Sequence, residues 1–487
     1  MHYFVGIDTG GTRTTAAVFD EKGRMMASAG LDTPLETNPQ GWQERDMEAL
    51  WQATVQVIRG AVAKSGVAPA DIAGVGCTGH GKGLYLWGKD GAPACPAFAS
   101  TDRRGEEIVA RWNADGTAER ASRLTLQPVT AGQPAPLLAW LKAHRPEVYG
   151  NIQWIFEAKD YLRFRLTGKA RAEYTDYSGT SLMDLNKRAF SQELLELFGI
   201  PEVAEALPPL CRSDELCGGV SQEAARATGI PAGTPVCGGM FDIDACAIAA
   251  GIVDGRDLCV IAGTWSINEY ISPTPVLNHP TTRNSIYCIP EWYLIEESSP
   301  TSSGNLEWVR GLLGGVSYDE INRMVAEIPP QDRDVVFVPY LYGSNVEGCD
   351  CGAFFGLRNA HTSGDLLRAV YEGVVYSHRI HIDALMTGRD RPGALRLSGG
   401  AANSHAWAQM FADVLNCRVE LVPSGEPGAL GCAMAAAVAS GVYADYSQAV
   451  AAMVPPAVAL EPNPERVPVY EKKYRRFLQL VEAVRGI

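Results

Sequence analysis

Hydrophobic positions along the chain switch between two spacings, and the switches mark the predicted elements. Residues 1–30 carry short apolar runs that predict two or three strands in a meander. Residues 41–66, GWQERDMEALWQATVQVIRGAVAKSG, have apolar side chains at helical spacing, with Asp46 near the start and Gly66 at the end. Residues 72–87 then predict a strand, a glycine-rich turn and a second strand. The N-terminal part therefore predicts an α/β fold.

The opening strand–turn–strand pattern recurs in the second half of the chain. DLCVIAGTWSINEYIS, at 257–272, again places a Gly-Thr turn, Gly263 and Thr264, between two apolar strands. A chain of 487 residues is also too long for one core, so two domains of roughly 200–250 residues are expected. Because no linker is rich in Pro, Ser or charge, we expect the halves to share a broad interface with a cleft between them.

The turn in HYFVGIDTGGTRTTAAVFD points to an anion. Gly10 and Gly11 let backbone N–H groups approach a phosphate, and Thr12 adds a hydroxyl donor. Asp8, on the strand leading in, suits a hydrated Mg²⁺ that accompanies phosphates. An ordinary tight hairpin is the alternative, and the repetition at Gly263 and Thr264 favours the phosphate interpretation. The Walker pattern of Gly-Lys-Ser/Thr entering a helix is absent from the sequence.

The net charge and the hydropathy of the chain argue against nucleic-acid and membrane partners. The net charge of −14, with no basic stripe, argues against nucleic acid. No apolar run is long enough to cross a membrane, and MHYFVGIDTGG lacks the pattern of a signal peptide. We therefore expect a cytoplasmic protein without membrane or nucleic-acid partners.

Motifs in a fixed order resemble one protein family over essentially the whole chain. These motifs are DTGGT at 8–12, KDYLRFRLTG at 159–168, DYSGTSLMD at 176–184, PVCGGMFD at 235–242, AGTWS at 262–266 and LSGGAAN at 397–403. Together they resemble the FGGY carbohydrate kinases. The resemblance implies two actin-like (ribonuclease H-like) domains with mixed sheets, 1–248 and 249–487. It further implies that ATP, Mg²⁺ and a small sugar meet in the interdomain cleft. A homodimer is also an expectation from the family.

The same resemblance implies roles for two aspartates. Asp242, after the Gly-Gly exit of a buried strand, matches the catalytic base that takes the proton of the acceptor hydroxyl and also contacts the sugar. Asp244 is the weaker candidate, which would turn away if a helix begins there. Asp242 as a helix N-cap carboxylate is the structural alternative. Asp8 matches the metal-associated carboxylate.

The nucleotide is expected at both hairpins and at the end of a late strand. The residues implied are Gly10, Gly11, Thr12, Gly263, Thr264, Ser303, Glu307, Gly399, Gly400 and Asn403. Capping of a helix by Ser302 or Ser303 is the alternative for SSGNLEW. Gly428 and Gly431 in PGALGCAMAAA are expected to serve helix packing.

The sugar is expected at two polar stretches. His80, Gly81 and Lys82 lie in Gly-His-Gly-Lys, where D-xylulose kinases have Met-His and glycerol kinases have Arg-Glu, so neither substrate is favoured. Asp102, in STDRR, matches a hydroxyl-binding aspartate. Within the family, DRR at 102–104, SPTSSGNLEW at 299–308 and YLYGSN at 340–345 are similar to bacterial L-xylulose kinases. The expected reaction therefore converts L-xylulose and ATP to L-xylulose 5-phosphate and ADP.

The sequence leaves other acceptors and a non-catalytic function as alternatives. Erythritol, xylitol, 3-dehydro-L-gulonate or D-xylulose would need changes in only two or three side chains. A nucleotide-dependent sugar sensor or switch on the same fold is disfavoured, because Asp8, Asp242 and both Gly-Thr hairpins are present.

Overall fold

A computed structural model of the protein describes residues 1–277, 279–331, 334–345, 348–349, 351–423 and 425–486. Its strands, in chain order, are β1 Tyr3–Thr9, β2 Arg13–Asp20, β3 Met25–Asp32, β4 Glu36–Thr37, β5 Gln43–Arg45, β6 Ile72–Gly79, β7 Tyr85–Gly88, β8 Ala97–Phe98, β9 Ile152–Phe156, β10 Ala172–Glu173, β11 Met183–Asp184, β12 Ala189–Phe190, β13 Leu210–Cys211, β14 Leu216–Gly219, β15 Pro235–Cys237, β16 Met240–Phe241, β17 Leu258–Ala262, β18 Ser266–Ser272, β19 Arg283–Ile286, β20 Tyr293–Ser299, β21 Val336–Pro339, β22 Gly352–Phe355, β23 Leu395–Gly399, β24 Val419–Leu421 and β25 Val458–Leu460.

The α-helices are α1 Met47–Ser65, α2 Glu106–Ala114, α3 Thr117–Thr125, α4 Pro134–His144, α5 Pro146–Gly150, α6 Ala158–Thr167, α7 Tyr174–Tyr177, α8 Gln192–Leu197, α9 Gln222–Thr228, α10 Asp242–Ala249, α11 Gly304–Leu312, α12 Tyr318–Ala326, α13 Ser363–Leu385, α14 His405–Leu415, α15 Pro427–Ala439, α16 Tyr446–Met453 and α17 Val467–Ala483. Short 3₁₀ turns lie at Pro69–Asp71, Pro201–Ala206 and Gly400–Asn403. None of the helices that the structure describes combines the length and the hydrophobicity needed to span a lipid bilayer.

Helix α1 shows how closely local sequence signals determine an element. The Asp46 carboxylate accepts hydrogen bonds from the backbone N–H groups of Glu48 and Ala49, and Gly66 ends the helix with φ of 68°. A side-chain N-cap and a left-handed glycine are the standard start and stop signals of a helix. The helix predicted within 41–66 is confirmed.

Two mixed sheets of seven strands form the framework. The first has the order β14-β15-β6-β1-β2-β3, with β16 also paired to β6, and the second has the order β19-β20-β18-β17-β23-β24-β25. In both, an antiparallel hairpin lies beside a parallel strand, because β1 pairs with β2 and β6, and β17 pairs with β18 and β23. The hairpin pattern that is repeated in the sequence thus corresponds to the same three-strand arrangement in both sheets.

Each hairpin tip lies beside a glycine at the end of the parallel strand. Thr9 is in register with Gly79 at the end of β6, and Ala262 is in register with Gly399 at the end of β23. The two sheets therefore present equivalent edges, with a hairpin turn next to a glycine-rich turn. One carries the Gly-His-Gly-Lys sequence, and the other carries Gly399 and Gly400.

Helices α10 and α15 join the two halves. One apolar cluster contains Phe4 and Phe19 of the first sheet, Cys259 and Leu294 of the second, and the buried faces of both helices. Helix α15, although late in the chain, packs on β1 and β6 through small residues: a Cβ on Gly76 would lie 2.3 Å from the carbonyl oxygen of Cys432. Backbones this close need residues without bulky side chains.

Candidate active site

The tip of the first hairpin is tied down by a buried arginine. Gly10 donates its N–H to the carbonyl of Arg13 at 2.9 Å, which closes the turn. The guanidinium of Arg45, 3% exposed, donates to the carbonyl oxygens of Gly10 at 3.3 Å, Thr33 at 3.0 Å and Gly11. Because the carbonyls are held inward, the turn has a fixed shape, and Gly11 and Thr12 stay exposed.

Asp8 lies at the end of β1, against the start of helix α15. A Cβ on Gly428 would lie 2.3 Å from Asp8 Oδ2, so the carboxylate fits only because that residue is glycine. Burial, followed by repulsion from Glu426, raises the pKa of Asp8 to about 7. A half-buried carboxylate beside a second acid has the character of a cation site. Gly428, expected only to pack a helix, therefore also shapes this site.

The donor set at Asp8 fits a hydrated Mg²⁺ carried by phosphates. Within the described residues, no three His, Cys, Asp or Glu side chains are grouped as a ready-made metal site. An ion at Asp8 would take its other oxygens from phosphates and water, as Mg²⁺ commonly does.

Asp242 is the first residue of α10, directly after the short strand β16. Two hydroxyl groups hold that strand: Thr78 donates to the carbonyl of Met240 at 2.7 Å, and Thr175 accepts the N–H of Phe241 at 2.8 Å. The residue at the N-cap position is Phe241, so the N-cap alternative for Asp242 is not supported. Burial, followed by repulsion from Asp8, raises the pKa of Asp242 to about 8.

Asp244 turns away from the site, as expected if a helix begins at Asp242. Its side chain is fully buried and accepts the backbone N–H of Cys288 at 2.9 Å. Burial, followed by repulsion from Glu173, raises its pKa well above the usual range. The geometry therefore makes Asp244 a structural residue and leaves Asp242 as the aspartate that faces Asp8.

The second hairpin contacts three of the predicted nucleotide residues. Ser303 donates both its N–H, at 2.9 Å, and its hydroxyl, at 2.5 Å, to the carbonyl of Gly263. Gly399 has φ of 83°, and a Cβ there would lie 2.7 Å from the carbonyl oxygen of Ala262. A Cβ on Gly400 would lie 3.5 Å from the Ser303 hydroxyl. Gly263, Ser303, Gly399 and Gly400 thus form one edge, with Thr264 at the hairpin tip.

The alternative of a serine cap at helix α11 is wrong. Ser303 holds the N-cap position, but its hydroxyl bonds Gly263 and not the helix. Ser302 bonds the buried His378 ring at 2.9 Å. Both hydroxyls therefore join α11 to its neighbours.

Glu307 and Asn403 lie nearer the solvent. Glu307 pairs with Arg310 at 2.5 Å and accepts the Tyr318 hydroxyl at 2.6 Å, contacts that lower its pKa to about 2. Asn403 is exposed at the end of the 3₁₀ turn after β23. Their predicted contacts with ATP stay predictions.

The Gly-His-Gly-Lys turn lies between the first hairpin and Asp242. His80 donates its N–H to the carbonyl of Thr9 at 3.0 Å, and its Nε2 is 2.9 Å from the Tyr85 hydroxyl. Burial, followed by repulsion from Arg45, lowers the pKa of His80 to about 3, so the ring is neutral. Its Nδ1 is buried and has no hydrogen-bond partner in the described part of the chain. A neutral ring with one free nitrogen can bind a sugar hydroxyl.

Lys82 has a left-handed backbone, with φ of 65°, an unusual conformation for a residue with a side chain. Burial, followed by repulsion from Arg283, lowers its pKa, while Glu296 and Asp242 oppose that shift. The ammonium group is therefore placed among the charges of the site, near the predicted base.

The carboxylate of Asp102, unlike the His80 ring, has all its hydrogen-bonding positions occupied by protein groups. Its carboxylate accepts from the Arg104 guanidinium at 2.8 and 2.9 Å, from the Arg104 N–H at 2.9 Å and from the Gln43 N–H at 2.7 Å. A carboxylate has about four acceptor positions, so these contacts saturate it. Arg104 therefore anchors Asp102. The predicted contact of Asp102 with sugar stays a prediction, and this saturation counts against it.

Sequence reasoning missed Arg45, Thr78 and Thr175. Thr175 precedes the DYSG motif, which carried the family resemblance without any assigned role. The hydroxyl of Thr175 also donates to Glu173 at 2.7 Å, which leaves a lone pair for the N–H of Phe241. The three residues are recognised only from contacts between distant parts of the chain.

Comparison with known proteins identifies the family. The FGGY family of carbohydrate kinases matches residues 3–249 with its N-terminal domain and residues 258–440 with its C-terminal domain. The chain is 40% identical to the L-xylulose/3-keto-L-gulonate kinase of Escherichia coli (strain K12), covering 99% of this chain and 97% of the relative. It is 35% identical to a probable L-xylulose kinase of Haemophilus influenzae over the full length of both.

A solved structure supports the fold. The ligand-bound xylulose kinase of Lactobacillus acidophilus superposes with a TM-score of 0.91 at 24% identity, over 99% of this chain and 98% of that one. The predicted two-domain, actin-like architecture is confirmed. With family models matching most of its length, the chain belongs to the FGGY family of carbohydrate kinases.

Proposed function

We propose that this sugar kinase transfers the γ-phosphoryl group of Mg·ATP to a hydroxyl of L-xylulose. The observation that carries the mechanism is the position of Asp242, between the carboxylate of Asp8 and the Gly-His-Gly-Lys turn. The choice of acceptor rests on two relatives named for L-xylulose, at 40% and 35% identity over nearly the whole chain.

In the proposed reaction, Asp242 accepts the proton of the acceptor hydroxyl. The hydroxyl oxygen forms a bond to the γ-phosphorus, the bond from that phosphorus to the β–γ bridging oxygen breaks, and ADP leaves. A base needs a pKa near the working pH, and that of Asp242, at about 8, is suitable. Mg²⁺ bound at Asp8 would neutralise phosphate charge.

The nucleotide would lie between the two hairpins. Gly10, Gly11 and Thr12 on one side, and Gly263 and Thr264 on the other, present turns to the phosphates. Gly399 and Gly400, next to Ser303, allow close approach of the ribose and base. Glu307 and Asn403 would contact ATP from the solvent side.

The sugar would contact His80 through its free Nδ1, with Gly81 giving access to the backbone. Lys82 distinguishes two acceptors: the Escherichia coli relative is also named for 3-keto-L-gulonate, which is 3-dehydro-L-gulonate. This acceptor carries a carboxylate that the Lys82 ammonium group can pair with, whereas L-xylulose offers only hydroxyl and keto groups. The sugar acid is the second candidate.

A coupled assay of ADP release tests the proposal. Purified protein would be given Mg·ATP with L-xylulose, 3-keto-L-gulonate, D-xylulose, xylitol, erythritol or glycerol. We expect kcat/KM for L-xylulose to exceed that of the others by about tenfold or more. A larger value for another acceptor would refute the choice of L-xylulose. Equal ATP hydrolysis with and without sugar would instead favour the sensor or switch.

Three further expectations belong to the same proposal. We expect the domains to divide at 248/249, the protein to be cytoplasmic and able to form a homodimer, and the activity to require Mg²⁺. Light scattering of the purified protein checks the homodimer. Activity measured after chelation and re-addition of Mg²⁺ checks the metal requirement.

A further inference from the structure

Two buried carboxyl groups outside the roles assigned so far lie beside the Gly-His-Gly-Lys turn. Glu157 and Asp176, named here the acidic pair, are each 1% exposed. Neither carboxyl group accepts a hydrogen bond from any group in the described residues. Asp176 Oδ2 forms an ion pair with the ammonium of Lys159 at 3.4 Å, without a hydrogen bond. Buried carboxyl groups that accept no hydrogen bond are rare in folded proteins and point to a ligand.

The fold brings Glu157 to the sugar turn. Strand β9 ends at Phe156, which pairs with Tyr85 of β7, and the Tyr85 hydroxyl is the partner of His80. Glu157 follows directly at the N-cap position of α6, yet its side chain accepts no hydrogen bond from that helix. The contact is close, because a Cβ on Gly79 would lie 3.3 Å from the backbone nitrogen of Lys159.

Asp176 points at the same turn from another element. A Cβ on Gly81 would lie 2.8 Å from Asp176 Oδ1 and 2.4 Å from the ring of Phe241, the residue before Asp242. The missing side chain of Gly81 thus lets the Asp176 carboxylate and the Phe241 ring pack directly against the turn. The charge of Asp176 acts on Glu157, that of Lys82 also acts on Glu157, and that of Asp242 acts on Asp176, so the acidic pair, the turn and the predicted base are neighbours.

Two neighbouring acids, Glu173 and Asp160, differ from the acidic pair because they do accept hydrogen bonds. Glu173 accepts from the N–H and hydroxyl of Thr175 at 3.0 and 2.7 Å. Asp160 pairs with Arg163 at 2.6 Å through Oδ1, and its Oδ2 accepts no hydrogen bond in the described residues. Burial, followed by repulsion from Asp176, raises the pKa of Glu157 well above the usual range, and burial also raises that of Asp176. In the free protein the acidic pair is therefore an unfavourable arrangement that packing does not explain.

We propose that Glu157 and Asp176 hydrogen-bond hydroxyl groups of the acceptor sugar and so select a polyhydroxylated substrate. This inference rests on the proposed function. It assigns to the acidic pair the hydroxyl recognition that the sequence suggested for Asp102. Several adjacent hydroxyls are needed to satisfy two carboxyl groups and the His80 nitrogen, which favours a keto sugar over glycerol.

The test compares Glu157→Gln and Asp176→Asn with the wild-type protein. Each change removes one oxygen acceptor and the charge with little change of shape. We expect KM for the sugar to rise about 10- to 100-fold, with KM for ATP unchanged. The melting temperature without ligand should stay the same or rise in Glu157→Gln, because an unpaired buried acid is neutralised.

Glu372→Gln is the matched control, in a helix away from the site. Glu372 is also buried, but it is paired with Arg368 at 2.9 Å and Lys473 at 2.5 Å. The control should melt at a lower temperature and keep the sugar KM within about twofold, since distant sites act independently.

The outcomes separate the two proposals. Unchanged sugar KM in both variants, with L-xylulose phosphorylated by the wild type, refutes the role of the acidic pair alone. A fall in melting temperature in Glu157→Gln like that of the control, without a KM change, also refutes it. If the wild type phosphorylates a different sugar, the proposed acceptor is wrong, and the acidic pair is judged by KM for that sugar. Absence of both phosphorylation and sugar binding in calorimetry refutes both.

Discussion

Replacing Asp242 with Asn should separate catalysis from stability. The change removes the carboxylate that takes the hydroxyl proton and keeps the size of the side chain. General base catalysis contributes about 10²–10⁴-fold, which corresponds to roughly 3–5 kcal/mol of activation free energy. We expect kcat to fall by that factor, with KM for ATP nearly unchanged because the hairpin contacts are intact.

The same substitution should stabilise the free protein. The pKa of Asp242 rises from 3.8 to about 8 through burial, then repulsion from Asp8. At about 1.4 kcal/mol per pKa unit the full penalty is roughly 5–6 kcal/mol. Asp242 keeps partial contact with solvent, which screens the charge, so we expect a gain in unfolding free energy of about 1–2 kcal/mol.

The sign of the pH dependence follows from the raised pKa. Below pH 3.8 the carboxyl is protonated in both the folded and the unfolded state, so it costs nothing. As pH rises to about 8, only the unfolded chain releases the proton, so the wild type loses stability over this range. The melting-temperature difference between Asp242→Asn and wild type should therefore grow with pH and reach about 2–8 °C.

The assays are initial-rate kinetics and thermal unfolding without ligand at several pH values. Asp244→Asn is the matched control, because Asn can still accept the Cys288 N–H and should keep kcat within about threefold. Near-normal turnover in Asp242→Asn would refute the base assignment. A melting-temperature difference that is constant or shrinks with pH would refute the electrostatic reasoning.

Three other substitutions test single contacts. Gly428→Ala places a Cβ 2.3 Å from Asp8 Oδ2, so the displaced carboxylate should lower kcat about 100-fold and raise the Mg²⁺ concentration for half-maximal rate; an unchanged Mg²⁺ titration would contradict this. Arg45→Ala frees the first hairpin, so KM for ATP should rise about tenfold while KM for the sugar holds. Asp102→Asn weakens the buried pair with Arg104 and should lower the unfolding free energy, measured by urea titration, by about 1–3 kcal/mol; a large rise in sugar KM would instead support the sequence-based role.

Local signals in the sequence predicted much of the fold. Asp46 and Gly66 delimit α1 as expected, and the Gly-Thr turns of both hairpins lie where the pattern placed them. These features depend on neighbouring residues: a cap bonds two or three positions away, and a turn needs only its own glycines. Residues of this kind can be read from sequence alone.

The side-chain environment of the site could not be predicted in this way. Asp8 meets Gly428, and Asp176 meets Gly81, through contacts that only the folded chain creates. Asp102 was chosen because its chemistry suits a sugar, yet Gln43 and Arg104 occupy its oxygens. Whether a carboxylate is free or saturated depends on such partners, and spacing along the chain carries no information about them.

The packing of α15 places a constraint on how the kinase can close. A Cβ on Gly6 would lie 1.9 Å from the carbonyl of Ala429, and one on Gly431 would lie 2.4 Å from that of Ala245. Backbones in such contact cannot slide past one another without a clash, so α15 moves with the first sheet although it lies late in the chain. If the two halves close around ATP and sugar, the movement that brings Ser303 toward Asp242 has to occur at residues outside this contact. We expect Asp8 and Gly428 to keep their spacing in such a movement.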